Sequence, residues 1–220
     1  IDNLALFMVV LVSSISFFVH QFASRYLRSD LTQGRFMAQL SLLTAAVIFL
    51  VMGGNLLTIF LAWEFVGLTL YLLLNHYHYD QRANRAAKKE FIINRLGDMA
   101  FMVALCLCNT YFKSSELSVL ASSPIVLWQF LGWYVSVQYL VVFLIFIAIM
   151  TKSAQFPFHI WLPDTMQAPT PVSAMMHAGI INIGGFLLAR LSPYIPLSSF
   201  LSDFIYTVGI VSVLCAAFFG

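Results

Sequence analysis

Long apolar runs alternate along the chain with short polar links. Seven such runs emerge, over roughly residues 4–23, 36–52, 56–74, 91–112, 135–152, 171–190 and 200–220. A helix needs about 20 residues to cross the hydrocarbon core of a bilayer, so each run predicts a membrane helix. The link between the fifth and sixth runs stays mostly apolar yet carries Pro157, Pro163 and Pro169. Proline removes a backbone donor and clashes with the preceding turn. Non-helical backbone at membrane depth is tolerated only where protein or water surrounds it. The pattern therefore predicts a helix broken at Pro157, with a short second helical piece after the break. Residues 111–134 hold a polar link and an amphipathic piece at 126–133, placed at the membrane interface by Trp128 and Trp133.

Composition sharpens the class. Hydrophobic residues make up 61% of the 220 and charged residues 9%, against about 25% charged in ordinary soluble domains. Mean hydropathy is +0.90. Twenty-one phenylalanines exclude a disordered chain. The expected fold class is an all-α polytopic membrane protein, one transmembrane domain over residues 1–220. A chain that starts at Ile1 and stops at Gly220 inside an apolar run is expected to be a piece of a longer protein.

Charge orients the helices. Arg25, Arg28 and Arg35 follow the first run, and Arg82, Arg85, Lys88 and Lys89 follow the third. Alternation puts both loops on one side, which the positive-inside rule makes the cytoplasm or its equivalent. Lys113 and Arg190 are the exceptions. Cys106, Cys108 and Cys215 fit no disulfide or metal spacing and read as small buried hydrophobes. No GxGxxG, Walker, CxxC or HExxH pattern occurs. No cofactor site and no covalent chemistry are expected in this chain.

The remaining charges lie within the apolar runs. Glu64 sits in Leu61-Ala-Trp-Glu-Phe-Val-Gly67 and Asp98 in Asn94-Arg-Leu-Gly-Asp98. Lys152 marks the point where the fifth run breaks, and His177 lies in the sixth. A central Asp or Lys costs about 2.5–3.5 kcal/mol on insertion scales. Such groups pair or face water. A Glu64–Lys152 pair within about 4 Å would hold both charges and respond to a nearby proton. Desolvated lysine gives up its proton readily, and His177 adds a relay group. Bland readings stand beside these. Glu64–Lys152 is alternatively a static bridge, Asp98 a partner of Arg95 three residues back, and His177 a satisfied core histidine. His159, in the break, either faces water or does nothing. His20, His76 and His78 read as interface residues.

Thr151-Lys-Ser-Ala-Gln-Phe-Pro-Phe-His-Ile-Trp-Leu-Pro-Asp164, with Ala168-Pro-Thr-Pro-Val-Ser-Ala174 and His177-Ala178, resembles the proton-translocating antiporter-like subunits. These include the chain 5 subunit of complex I and the MrpA subunit of sodium/proton antiporters. The Glu64 and Asp98 motifs match the same family in order and spacing. The resemblance implies a fold of about fourteen helices with two inverted repeats, of which this chain looks like the third through ninth. It also implies a glutamate–lysine pair at Glu64 and Lys152, an aspartate at Asp98 and a pathway histidine at His177. After the histidine the sequence departs, reading His177-Ala-Gly-Ile-Ile-Asn-Ile-Gly-Gly-Phe186. This form resembles the DabB-type membrane subunits of inorganic-carbon uptake systems. It implies proton (or sodium) conduction coupled to carbon dioxide and bicarbonate uptake in a bacterial inner membrane; the alternative is a proton-pumping subunit of complex I or of an Mrp sodium/proton antiporter. The implied partner is a large, cytoplasmic-side DabA-like zinc protein resembling β-carbonic anhydrase, with the zinc in that partner. Asn182 adds a polar group that would extend a water chain from His177.

Overall fold

Local capping fixes where the long helices begin. Asp2 accepts the Ala5 N–H at 2.9 Å and opens α1 (Asn3–Tyr26). Asn55 and Thr58 form a capping box that opens α3 (Leu56–Leu74). Asp80 accepts the Arg82 N–H at 2.8 Å and opens α4 (Gln81–Leu107). The computed structural model describes residues 2–130, 133–192 and 199–219. The remaining elements are α2 (Gln33–Met52), a short α5 (Leu117–Ser122), α6 (Val137–Lys152), α7 (Thr170–Met175), α8 (Ile181–Leu191) and α9 (Ser199–Phe219).

Six described helical stretches are long and apolar enough to cross a membrane, the sixth run being one stretch over Thr170–Leu191. The fifth run is shorter, 16 residues in α6, because it ends at the break. The fourth helix starts ten residues earlier than its apolar run, so Arg82, Arg85, Lys88 and Lys89 lie on helix rather than loop. The predicted amphipathic piece at 126–133 takes strand form at 127–130 and 133, and residues 131–132 lie outside the described residues. β1 (Leu127–Phe130) pairs antiparallel with β2 (Trp133–Ser136). β-branched and aromatic residues suit paired strands. Trp128 is exposed, whereas the side chain of Trp133 lies outside the described residues.

Neighbours in the chain pack in order, α1 on α2, α2 on α3, α3 on α4, and α4 on α6. Beyond the break α8 returns to α6, while α7 packs against α1. Arg190 ties this arrangement at one end. It donates to the Val51 carbonyl at the end of α2 and approaches Asp2 at 3.6 Å. It is therefore a buried staple, which explains its place opposite the basic loops. At the other end Arg35 donates to the His76 carbonyl at 3.2 Å. His76 is buried and reaches Asp30 at 3.2 Å, so it links the turn after α3 to the loop before α2. His20 bonds Ser41 of α2 at 3.0 Å and the Ser16 carbonyl at 2.8 Å. Of the cysteines only Cys108 is buried; Cys106 is exposed and Cys215 half-buried.

Candidate ion-transfer site

The site forms where α6 stops. The chain leaves the helix at Ser153, four residues before Pro157. Pro157 lacks the N–H that would continue the ladder and disfavours helix in the residue before it. Ala154 takes a left-handed turn (φ 50°). The Gln155 N–H then bonds the Met150 carbonyl at 2.9 Å, and the Ala154 N–H bonds that of Thr151 at 3.3 Å. This is a Schellman cap with alanine where glycine is usual. The buried Trp161 indole adds a 3.0 Å bond to the Thr151 carbonyl from the following 3-10 turn, Phe158–Trp161. The break is thus moved upstream from Pro157, and it leaves Lys152 as the last helical residue.

Lys152 is wholly buried. Its Nζ donates to the Trp63 carbonyl at 3.4 Å and stands 5.0 Å from the Trp63 ring centroid. Gly67 makes this approach possible, because a Cβ there would stand 3.0 Å from Nζ. The expected Glu64–Lys152 ion pair is absent among the described residues. Arg95 takes the carboxylates instead. Its Nη1 donates to Glu64 Oε2 at 2.6 Å, and its Nη2 lies 2.7 Å from Asp98 Oδ2. Glu64 sits on α3 and Arg95 on α4, so the guanidinium ties the helix pair through Nη1 while Nη2 forms an ion pair with Asp98 on its own helix. Asp98 Oδ1 also accepts the Trp63 indole N–H at 2.8 Å. Trp63 therefore holds Asp98 with its ring nitrogen and Lys152 with its carbonyl. Four charged residues and one tryptophan form a continuous polar chain from α3 through α4 to the end of α6.

The structure brings Glu64, Asp98 and Lys152 into this chain. The other predicted residues lie outside it. His177 falls in a π-helical turn, Met176–Ile180, with its side chain exposed. Asn182 donates to the His177 carbonyl at 3.1 Å, so its amide satisfies backbone freed by the π-turn. His159 lies in the 3-10 turn and lines a mostly apolar cleft of ≈ 210 Å³ with Phe156, Leu162, Ser212 and Cys215. No hydrogen bond or ion pair among the described residues joins either histidine to Lys152. Sequence reading offered Arg95 as a partner of Asp98, and the 2.7 Å ion pair bears this out, but it missed Arg95's bond to Glu64, the role of Trp63, and Glu90, which is buried on α4. The spacing Glu90, Asn94, Asp98 marks a single helix face and was the signal available for it. Starting the fourth run at Phe91 left Glu90 in the loop.

Three glycines let the helices close on this point. A Cβ at Gly97 of α4 would stand 2.0 Å from Thr151 Oγ1. One at Gly184 of α8 would stand 2.1 Å from Ser153 Oγ, which donates to the Ile181 carbonyl at 2.8 Å. With Gly67, they bring three helices onto residues 151–153.

Comparisons with known proteins identify the family and the fold. Residues 53–220 match the family described as NADH:quinone oxidoreductase/Mrp antiporter, TM. Residues 1–37 match the chain 5 N-terminus of complex I. The chain is 38% identical over 224 residues to NADH-ubiquinone oxidoreductase chain 5 of Chondrus crispus, covering 100% of this chain and 34% of that protein. It is 35% identical over 230 residues to NADH-quinone oxidoreductase subunit L of Neisseria meningitidis, covering 100% and 34%. It resembles a solved chain of the Mrp complex from Dietzia sp. DQ12-45-1b, with a TM-score of 0.74 and 29% identity over 88% of this chain and 21% of that one. The chain thus spans about a third of the length of the relatives it matches.

Proposed function

Since the chain belongs to the NADH:quinone oxidoreductase/Mrp antiporter membrane family, we propose that it is part of a proton-translocating antiporter-like subunit of complex I or of an Mrp complex. Protons are the expected ion and sodium the second choice. One observation carries the reading: Lys152 is wholly buried at a broken helix end, and among the described residues no carboxylate is bonded to it. A fully partnered ammonium is a static strut. An ammonium held by one long bond to a carbonyl and by a ring face loses little when it gives up its proton. Glu64, Arg95 and Asp98 then set the local field around that amine.

The test uses the full-length subunit in its parent complex, reconstituted in vesicles with a pH-sensitive dye. Lys152→Ala is expected to abolish proton transfer in a complex that still assembles. Lys152→Arg separates a carrier from a strut, because arginine keeps the charge and does not release its proton. Full transport in an assembled Lys152→Arg complex would refute the carrier role.

A second reading keeps the DabB-type form, with proton flow coupled to inorganic-carbon uptake and a DabA-like zinc protein as partner. The His177–Phe186 sequence supports it. The relatives named above support the first reading instead, and Asn182 and Gly184 have local packing work that suits either. Purification with metal analysis separates the two: a large zinc protein favours carbon uptake, and redox or small antiporter subunits favour the first.

A further inference from the structure

One buried carboxylate takes no part in the Arg95 network. Glu90 of α4 is 0% exposed, and its Oε1 accepts the Asn94 amide at 2.5 Å. Its Oε2 and the neighbouring Asn94 Oδ1 are both buried without a hydrogen-bond partner. Two buried acceptors on these linked side chains have no donor, and a proton would satisfy one of them, because a buried unsatisfied acceptor is costly. The pair lies on a track. Glu90, Asn94 and Asp98, four residues apart, share the buried face of α4 that packs on α6. Glu90 precedes Asp98 by about 12 Å along the helix. One turn before Glu90 on that face, Ala86 lines a cleft of ≈ 260 Å³ with Arg82, Arg85, Asp164 and Gln167. The cleft opens at the basic end of the helices.

We propose that Glu90 is a proton-loading site between this cleft and Lys152. The carboxylate takes a proton from water in the cleft and becomes the neutral acid. The acid then releases that proton, through water along the Asn94–Asp98 face, to the neutral Lys152 amine, leaving carboxylate and ammonium. The proposal deepens the proton-transfer reading above and rests on it. Arg95 and Asp98 on its own helix and Lys152 from α6 set the charge around Glu90. The 3-10 turns packed on α4 carry His159 and Asp164, and Asp164 is already paired with Lys89 at 2.7 Å.

The test compares Glu90→Gln, Glu90→Asp and Lys152→Ala in the full-length subunit within its assembled complex, in vesicles with an internal pH dye. Infrared difference spectra are taken between high and low pH. Glu90→Gln is expected to lose most of the proton flux and one protonated-carboxyl band. Glu90→Asp is expected to keep flux with a shifted pH profile. Wild-type flux with an unchanged profile in an assembled Glu90→Gln complex overturns the proposal, as does a full set of carboxyl bands. If Glu90→Gln does not assemble, Glu90→Asp decides, and an unshifted profile there overturns it. An effect of Glu90→Gln on sodium dependence alone also overturns it. Flux surviving in Lys152→Ala defeats the underlying proton-transfer reading; flux lost there but intact in Glu90→Gln defeats only this inference.

Discussion

Replacing Gly97 by alanine tests whether close helix approach positions Lys152. The new methyl would stand 2.0 Å from Thr151 Oγ1 and 3.0 Å from both Thr151 Cβ and the Ala148 Cα. Thr151 can swing its hydroxyl away, giving up its 2.8 Å bond to the Ala148 carbonyl. That loss is worth about 1 kcal/mol. The Ala148 backbone has no such escape, so α4 and α6 must part until the carbons reach about 3.5–4.0 Å. Overpacking of this kind costs about 1–3 kcal/mol, and the better helix propensity of alanine returns at most ~1 kcal/mol. A net loss of about 1–3 kcal/mol is expected from the two steric terms and the lost bond. Because Lys152 follows Thr151, parting the helices also stretches a 3.4 Å bond to Trp63 that is already long. Thermal melting of the purified complex measures the first effect and vesicle proton uptake the second. The Thr151→Ala background removes the hydroxyl clash and should recover about 1 kcal/mol of the penalty in a double-mutant cycle. A Gly97→Ala complex that melts at or above the wild-type temperature would refute the reasoning.

Two further perturbations probe the site and its basic end. Trp63→Phe keeps a ring beneath Lys152 but removes the indole N–H bonded to Asp98 at 2.8 Å; leaving that buried acceptor short should cost about 1–3 kcal/mol, and an unchanged melting temperature would count against it. Asp30 accepts from the Thr32 hydroxyl and N–H at 2.7 and 2.8 Å, and with His76 these bonds hold its carboxyl at about 2, below the ordinary 3.8. Its folded-state value is depressed, so the stabilisation is present above about pH 4 and disappears as pH falls from 4 towards 2. Asp30→Asn should flatten this acid limb of the melting curve, by no more than about 2 kcal/mol; a limb as steep as wild type would show that Asp30 does not contribute.

Which features were legible in the sequence follows from what each one depends on. The membrane helices rest on local composition, so runs such as 56–74 return as α3 with the same bounds. The break rests on proline chemistry and was visible too, though the cap formed by Ala154 and Gln155 moved it upstream. The fourth helix was mis-started because charged residues at a helix end resemble a loop, yet Arg82 to Lys89 sit on helical backbone past the Asp80 cap. The identities of the charged groups were likewise legible, since Glu64, Asp98 and Lys152 stand out against apolar neighbours. The Asp98–Arg95 pair was legible as well, three residues apart on one helix, but the partners across helices were not, because such pairing depends on rotation about each axis. A rotation that points Arg95 at both Glu64 and Asp98 takes from Lys152 the carboxylate that spacing alone had assigned to it.

That redistribution of charge is what makes the site suited to proton transfer. Had Glu64 bonded Lys152 directly, removing the ammonium's proton would strand a carboxylate in an apolar interior, and the bridge would be static. Instead Arg95 neutralises one of two carboxylates, leaving the Glu64–Arg95–Asp98 group one net negative charge. A proton on Lys152 balances that charge while Glu90 is neutral. When one proton is shared between Glu90 and Lys152, the cluster keeps the same total charge whichever of them holds it. Transfer between them therefore needs no additional charge brought into the membrane interior, which is the largest cost a buried carrier faces. The arrangement predicts that Arg95→Gln, which removes the balancing charge and leaves both carboxylates facing Lys152, fixes the lysine in its charged form. Proton flux should then fall even though every proposed carrier is still present. An Arg95→Gln complex that assembles and pumps at the wild-type rate would contradict this account of the charge balance.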